Sequence, residues 1–214
     1  MRQYATYLFD LDGTLIDTFD LIIQCFKYSL KYAADLTISD DELKSHIGLP
    51  LRAQFEKYFI PRNITADYED IMKKHMEYQL TIWKDYLRLF DGAAEALEGL
   101  KNRGARLAVV TSRRSETCLL YMKHFDILKF FEVVCTPEST QLHKPNAEPA
   151  LWALTQLEMP PSSALFVGDS PMDMQCGESA GCDTCYTVWG HTPPGSVKPL
   201  PDYQINSLLD LLEK

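Results

Sequence analysis

Two aspartates one residue apart, Asp10 and Asp12, follow a short apolar run at residues 4–9. Carboxylates this close repel each other unless a divalent cation neutralises them or one of them holds a proton. Gly13 permits a tight turn behind the pair, and Thr14 adds a hydroxyl and an N–H beside the same anionic position. On its own, however, such a pair is also typical of a polar turn with two solvated aspartates.

Further polar side chains follow later apolar runs, and they are Thr111, Ser112, Lys144, Asp169 and Asp173. In a parallel sheet the carboxyl ends of the strands lie at one edge, so we expect these side chains and the aspartate pair to converge. Each alone has an ordinary explanation, such as a helix cap, a solvated charge or a turn residue. Together they predict a site that combines carboxylates, a hydroxyl and an ammonium.

The elements that position these residues alternate between apolar strands and amphipathic helices. Strands are predicted over residues 4–9, 106–111, 130–135, 164–167 and 184–189. Helices are predicted over residues 91–103, 115–125, 146–157 and 172–180, with a short helix in the tail at 205–212. Strands that are apolar throughout and joined by helices indicate an α/β fold, with a Rossmann-like parallel sheet covered on both faces.

Residues 18 to about 89 differ, because helical spacing dominates there and no strand is evident. Amphipathic helices are predicted near residues 21–30, 40–47, 51–58 and 65–83. An insert directly after the first strand is expected over the carboxyl ends of the sheet, where open α/β folds bind ligands. We therefore predict a core domain of residues 1–16 and 90–214 and an all-helical cap domain of residues 17–89.

Four motifs in order resemble those of the haloacid dehalogenase (HAD) superfamily, and they are Asp10-x-Asp12-Gly13-Thr14, Thr111, Lys144-Pro145 and Gly168-Asp169-x-x-x-Asp173. The helical insert between the first two motifs is similar to that superfamily's first type of cap. The resemblance covers essentially the whole chain. It implies Mg²⁺-dependent phosphoryl transfer on a small phosphorylated metabolite.

The resemblance also implies a role for each aspartate. Asp10 would attack phosphorus to form an aspartyl-phosphate, and Asp12 would act as general acid and then as base. Mg²⁺ would be held by Asp10, by the backbone carbonyl of Asp12 and by Asp169, all of them hard oxygen ligands. Asp173 would orient these groups from the second shell of ligands.

The remaining site residues would handle the substrate. Thr111 would hold a phosphoryl oxygen, and Lys144 would neutralise charge on the nucleophile and the phosphate. Thr14 and Ser112 are candidate substrate contacts beside them. Arg52, in the predicted cap just after the turn at residues 47–50, is a candidate for binding the anionic end of a substrate, and a solvated arginine is the equally open alternative.

Two adjacent arginines, Arg113 and Arg114, follow the second motif at the start of a predicted helix. They could steer anions towards the site, and they could equally be surface charges. The sequence contains no feature that separates the two interpretations.

Two observations reduce the number of candidate substrates: the carboxyl group of Asp12 and a closer resemblance to one subgroup of the superfamily. On the family pattern, the carboxyl of Asp12 favours phosphoryl transfer over dehalogenation, because a leaving alkoxide needs a proton and a halide does not. Segments 12–18, 46–51, 143–149 and 167–173 resemble phosphoglycolate phosphatase and its pyrophosphatase relatives. We therefore expect a phosphoric monoester hydrolase of the phosphoglycolate phosphatase kind, with inorganic pyrophosphatase or β-phosphoglucomutase as alternatives.

A different class of function is a non-catalytic phospho-aspartate regulatory or binding protein. Receiver domains also combine an acidic pair, a phosphorylated aspartate, a hydroxyl and a lysine around Mg²⁺. They are shorter, lack a cap and carry the acceptor aspartate on a later strand than the acidic pair. Four intact motifs and the long helical insert favour an enzyme.

Composition limits the partners and the location. The net charge of −9 argues against nucleic acid, since neutralising many phosphates needs a basic face. No apolar run approaches the length of about 18 residues that a membrane span needs, and Asp10 comes too early for a signal peptide. We predict a cytoplasmic protein, monomeric or homodimeric.

The six cysteines need no metal or disulfide. Cys182 and Cys185 form a Cys-x-x-Cys pair near Cys176, and His191 is the only candidate for a further zinc ligand. Cys185 begins a strand-like run, in which the two side chains need not converge. We interpret all six as structural thiols.

Overall fold

The computed structural model describes residues 2–47, 49–190, 192, 195 and 197–213. The chain divides into two compact units. The first, here called the sheet unit, comprises Met1–Asp17 and Leu89–Lys214, and the second, the helical unit, comprises Thr18–Arg88.

Eight strands are present in the described residues: β1 Thr6–Phe9, β2 Ile16–Asp17, β3 Arg88–Leu89, β4 Arg106–Val110, β5 Val133–Cys135, β6 Ala164–Gly168, β7 Asp183–Thr187 and β8 Tyr203–Ile205. Six of them form one sheet in the order β5-β4-β1-β6-β7-β8, and every neighbouring pair is parallel. The short strands β2 and β3 form a second sheet. The order places β1 between β4 and β6, so their carboxyl ends adjoin.

Eight α-helices accompany the strands in the described residues: α1 Phe19–Ala34, α2 Asp40–Lys44, α3 Leu51–Phe59, α4 Tyr68–Tyr86, α5 Ala93–Asn102, α6 Ser115–His124, α7 Glu148–Gln156 and α8 Pro171–Ala180. Helices α5 to α8 alternate with the strands of the main sheet, and α1 to α4 belong to the helical unit. The predicted fold class, an α/β parallel sheet with a helical insert, is confirmed.

The main sheet is apolar because both of its faces are covered. All four residues of β1 and all five of β6 are buried, which is the pattern expected of parallel strands packed between helices. Leu8, Ala108 and Phe166, from three adjacent strands, share one core cluster with residues of α7 and α8.

The helical unit has a separate, aromatic core. Phe26 of α1 and Phe55 of α3 pack with their ring centroids 5.0 Å apart, and the imidazole of His75 from α4 lies edge-on to Phe26 at 5.0 Å. The Ser29 hydroxyl oxygen lies 3.0 Å from His75 Nδ1 inside this core. In the part of the chain that the structure describes, no helix is both long enough and apolar enough to cross a membrane.

Two details of the sequence-based prediction are wrong. The tail is not one helix over residues 205–212, because β8 (Tyr203–Ile205) adds a strand to the sheet and a 3₁₀ helix follows at Leu208–Leu212. Strand β3 also lies at the end of the segment in which no strand was evident, and it pairs with β2, which directly precedes that segment. Runs of two or three residues are too short to show a period-two pattern.

The cysteines match their interpretation as structural thiols. All six are free and buried. Burial raises the pKa of Cys182 and of Cys185 to about 12, which keeps both as protonated thiols at neutral pH. His191, the suggested zinc ligand, and Gly48, in the turn at residues 47–50, lie outside the described residues.

Candidate active site

The first strand delivers Asp10 to the centre of the sheet edge. The backbone N–H of Asp10 donates to the carbonyl oxygen of Val167 at 2.9 Å, so the residue continues the pairing of β1 with β6. Asp169 follows the end of β6 directly, and Thr111 follows β4 on the other side of β1. Three adjacent strands therefore place their end residues side by side.

Lys144 joins two of the acids. Its Nζ donates to Asp10 Oδ1 at 2.7 Å and to Asp173 Oδ1 at 2.6 Å. The side chains of Lys144, Asp10 and Asp173 are 5%, 9% and 0% exposed, so little water screens these contacts. The ammonium is thus a buried bridge between two buried carboxylates.

A third acid lies beside this bridge. Carboxylate oxygens of Asp10, Asp169 and Asp173 all lie within 4.8 Å of one another, and all three residues are buried. Three carboxylates against the single ammonium of Lys144 leave two negative charges in a water-poor place. Oxygen donors and this charge balance both fit a divalent cation such as Mg²⁺.

The pKa values show how strongly the groups interact. Burial raises the pKa of Asp10 to about 7; the Lys144 ammonium opposes this shift, and the carboxylates of Asp173 and Asp12 add to it. Burial lowers the pKa of Lys144, but Asp10 and Asp173 outweigh burial and raise it above the usual range of lysine. Lys144 therefore stays charged, and a further cation bound beside Asp10 would favour its carboxylate form.

Asp12 has a different partner from Asp10. Nε of Arg113 lies 3.0 and 2.7 Å from the two carboxyl oxygens of Asp12. The side chains are 9% and 21% exposed, respectively. Burial opposes the charged form of Arg113, yet Asp12 outweighs it and raises the pKa of the arginine. The carboxyl of Asp12 also stands outside the acidic group of Asp10, Asp169 and Asp173.

The hydroxyl residues of the predicted site differ in their surroundings. Thr111 is buried, and its Oγ1 accepts a hydrogen bond from the backbone N–H of Arg113 at 3.1 Å. Ser112, next to it, is exposed. Thr14 is buried; its hydroxyl has no hydrogen-bond partner among the described residues, and its carbonyl oxygen accepts from Trp189 Nε1 at 3.3 Å.

The start of α8 orients Asp173. Its Oδ2 accepts from the backbone N–H and the hydroxyl of Ser170, at 3.1 and 2.6 Å, while the Ser170 hydroxyl accepts from the backbone N–H of Asp173. This capping box leaves Oδ1 for Lys144. The orienting role that the motif resemblance implied for Asp173 stays a prediction, and this carboxylate is also close enough to Asp10 and Asp169 to share a cation.

Two glycines make room for the acids. A Cβ added at Gly168 would overlap the side chain of Asp173, and one added at Gly190 would overlap the Cβ of Asp169. The loop after β7 thus approaches Asp169 so closely that only a residue without a side chain fits there. Gly190 was not identified from the sequence, since a glycine after a strand usually marks a turn.

Arg113 is the second residue that sequence reasoning did not resolve. Its neighbour Arg114 has a side chain 72% exposed and pairs with Glu138, as expected for a surface charge. The surface interpretation is wrong for Arg113, which is buried against Asp12. Adjacent arginines at a helix start look alike in sequence, so no local signal could have separated them.

Arg52 lies in α3 of the helical unit. Its Nε donates to Glu56 Oε1 at 3.0 Å, one helical turn on, and its guanidinium lies 5.0 Å from the ring centroid of Tyr68. The side chain is 60% exposed. Its suggested contact with a substrate stays a prediction.

Comparison with known sequences agrees with the motifs. The sequence model of one family, described as haloacid dehalogenase-like hydrolase, matches residues 7–187. The chain is 37% identical to a protein from Clostridium perfringens provisionally named pyrophosphatase PpaX, over 97% of this chain and 96% of that protein. It is 31% identical to the pyrophosphatase PpaX of Bacillus pumilus, over 97% of this chain and 94% of that protein.

Comparison with solved structures supports the fold. A crystal structure of a predicted phosphoglycolate phosphatase from Haemophilus somnus superposes with a TM-score of 0.87 and 24% sequence identity. The match covers 99% of this chain and 98% of that one. At this identity, the likeness concerns the fold alone.

Proposed function

Because the chain belongs to the family of haloacid dehalogenase-like hydrolases, we propose that it is a Mg²⁺-dependent phosphatase acting through an aspartyl-phosphate. The observation that carries the proposal is the buried Asp10 carboxylate, held by Lys144 beside Asp169 and Asp173. Phosphoryl transfer requires chiefly a positioned nucleophile and neutralisation of charge, and this group supplies both.

In the first step, Asp10 attacks phosphorus while the bond from phosphorus to the leaving oxygen breaks. Lys144 holds Oδ1 of Asp10, which directs the second oxygen, Oδ2, as the attacking atom. Lys144 also neutralises charge on the transferred group, and Thr111, Ser112 and Thr14 are proposed to contact it. Asp10, Asp169 and the backbone carbonyl of Asp12 would hold Mg²⁺, which would supply further charge neutralisation for the phosphoryl oxygens.

In the second step, water attacks the phosphorus of the aspartyl-phosphate. Asp12 takes the proton of that water, phosphate leaves, and the carboxylate of Asp10 is restored. In the first step the same Asp12 carboxyl gives a proton to a leaving oxygen that requires one. Asp173 keeps Lys144 in place throughout.

The favoured substrate is inorganic pyrophosphate. Both relatives named above carry the name pyrophosphatase and align over nearly their whole length. A leaving phosphate is a much weaker base than an alkoxide, so it needs little proton donation. Pyrophosphate therefore suits a site in which Asp12 forms an ion pair with Arg113, since such a pair favours the ionised form of the carboxyl.

Phosphoglycolate is the second candidate, and with it the narrower class of phosphoric monoester hydrolases. Segments 12–18, 143–149 and 167–173, which resemble phosphoglycolate phosphatase, favour it. In this proposal the helical unit serves as the cap that selects the small phosphorylated metabolite, with Arg52 binding its anionic end. The cytoplasmic location and the monomeric or homodimeric state stay predictions.

The test is phosphate release from pyrophosphate, phosphoglycolate, sugar phosphates and p-nitrophenyl phosphate, with and without Mg²⁺. We expect wild-type turnover that EDTA abolishes and an Asp10→Asn variant with about 10⁴-fold lower kcat or less activity still. No turnover by the wild type, or full turnover by Asp10→Asn, would refute the phosphatase proposal. A ranking of phosphoglycolate above pyrophosphate would replace the favoured substrate and leave the chemistry in place.

A further inference from the structure

The two arginines at the start of α6 offer a natural comparison. Arg113 and Arg114 are adjacent, yet one side chain is 9% exposed and the other 72%. Arg114 pairs with Glu138 at the surface, whereas Arg113 turns inward and contacts both carboxyl oxygens of Asp12. An arginine is buried at a cost unless its charge is met, so its burial at this position requires an explanation.

We propose that Arg113 is a positioning residue, which acts on the reaction by fixing the carboxyl group of Asp12. This inference rests on the proposed function, in which Asp12 handles the proton of the leaving group and of the attacking water. A single N–H of Arg113 is shared between both oxygens of Asp12, at 3.0 and 2.7 Å. The shared contact orients the plane of the carboxyl and leaves lone pairs on both oxygens for the reaction.

The guanidinium is itself held in place from α6. Its Cζ lies 4.8 Å from the ring centroid of Tyr121, which is fully buried, and its Nη1 lies 3.5 Å from Thr117 Oγ1. Thr117 and Tyr121 are four positions apart in α6, so they lie on the same side of that helix. A planar, stacked guanidinium loses little further freedom when it binds a carboxylate.

The same residue also contacts the second motif. The backbone N–H of Arg113 donates to Thr111 Oγ1 at 3.1 Å, while its side chain reaches Asp12. One residue therefore fixes both the proposed phosphoryl-binding hydroxyl and the proposed acid and base. Such supporting contacts commonly change activity by about 10- to 100-fold at other sites, without contact with the substrate.

A purely structural ion pair is the competing explanation. Removing one member of a buried pair is usually destabilising, so a loss of stability in Arg113→Met would not distinguish the two explanations. A positioning role predicts a change in kcat that depends on Asp12, whereas a structural role predicts lower stability and an unchanged kcat in the folded fraction. The experiment must therefore measure the kinetic coupling between Arg113 and Asp12.

The experiment measures the activity of the full chain with Mg²⁺ on p-nitrophenyl phosphate and on pyrophosphate. Four variants are compared: Arg113→Met, Arg114→Met, Asp12→Asn and the double variant Asp12→Asn/Arg113→Met. We expect Arg113→Met to lower kcat about 10- to 100-fold with KM within about threefold of wild type. Arg114→Met should match the wild type. The double variant should be no slower than Asp12→Asn alone, because Arg113 acts through Asp12.

Three outcomes overturn the inference while the phosphatase proposal stands: Arg113→Met as active as Arg114→Met, a loss in KM alone, or losses that multiply in the double variant. By contrast, an inactive wild type or an active Asp10→Asn would refute the phosphatase proposal itself. If Arg113→Met does not fold, Arg113→Lys replaces it; this variant keeps the charge but loses the planar group, and we expect the same direction of change in kcat.

Discussion

The two units of this protein differ in how far their paired charged side chains are exposed to solvent. In the sheet unit, charged side chains are buried at the sheet edge, with Lys144 5% and Arg113 9% exposed. In the helical unit, the ion pairs lie at the surface, as in Lys31 with Asp35 (65% and 81% exposed) and Arg52 with Glu56 (60% and 37%).

The polar groups buried in the helical core include a hydroxyl, that of Ser29, and an imidazole, that of His75. Ser29 and His75 contact each other, the His75 ring packs edge-on to the rings of Phe26 and Phe55, and the Ser29 hydroxyl also donates to the carbonyl of Cys25. Burying charges is expensive and rarely improves stability, whereas surface pairs contribute little in either direction. We infer that the sheet unit retains its buried charge for the proposed chemistry, whereas the helical unit is built from ordinary packing.

We expect the largest effect from replacing Lys144 of the sheet unit by methionine, with the same replacement of Lys74 in the helical unit as the control. Lys144→Met leaves three buried carboxylates without their ammonium, so kcat should fall about 10³-fold and the free energy of unfolding by about 3–5 kcal/mol. Lys74→Met removes an exposed pair with Glu77 and should change stability by less than about 0.5 kcal/mol. Kinetics with p-nitrophenyl phosphate and urea unfolding test both; equal losses in the two variants would contradict the contrast.

The next effect concerns the metal. Asp169→Asn removes one carboxylate of the acidic group, and the Mg²⁺ concentration for half-maximal activity should rise about 10- to 100-fold. The Mg²⁺-induced rise in the melting temperature should shrink accordingly, because a ligand stabilises only the state it binds. Asp85→Asn, at an exposed position of the helical unit, serves as the control. An unchanged Mg²⁺ response in Asp169→Asn would show that the acidic group is not the metal site.

A smaller effect is expected from the backbone that supports this acid. Gly190→Ala must displace Asp169, so Mg²⁺ affinity should fall about tenfold and stability by about 1–3 kcal/mol. Gly99→Ala, in α5, meets only the flexible end of Leu212 and should leave Mg²⁺ affinity unchanged. Calorimetric titration with Mg²⁺ measures the difference. Equal Mg²⁺ affinity in both variants would exclude a supporting role for Gly190.

The smallest effect on stability is expected at Arg52. Arg52→Ala should change the free energy of unfolding by less than about 1 kcal/mol, because the pair with Glu56 is exposed. If Arg52 binds the substrate, KM should rise about tenfold with kcat little changed. Glu56→Gln removes the same ion pair without touching the arginine, and its KM should stay at the wild-type value. A KM unchanged in Arg52→Ala would identify Arg52 as a surface charge.

Much of the fold and of the candidate site could be predicted from local patterns. Continuous apolar runs predicted the strands that became β1, β4 and β6, since strands covered on both faces leave no polar position. Asp10, Asp12 and Asp169 were found because they stand just past such runs, and Lys144 was found because it lies in the loop that follows the predicted strand at residues 130–135. β8 was missed because its three residues are too few to show a pattern.

Hydrophobic spacing in the sequence thus predicts which residue types stand at or after the strand ends, and in what order. Their pairing arises only when the chain folds: Asp10 with Lys144, 134 positions away, and Asp12 with Arg113, 101 positions away. A strand end follows from residues that are neighbours in the sequence. Which cation binds which aspartate, and which of the two adjacent arginines is buried, depends instead on side-chain directions and distances. These exist only after the sheet has assembled.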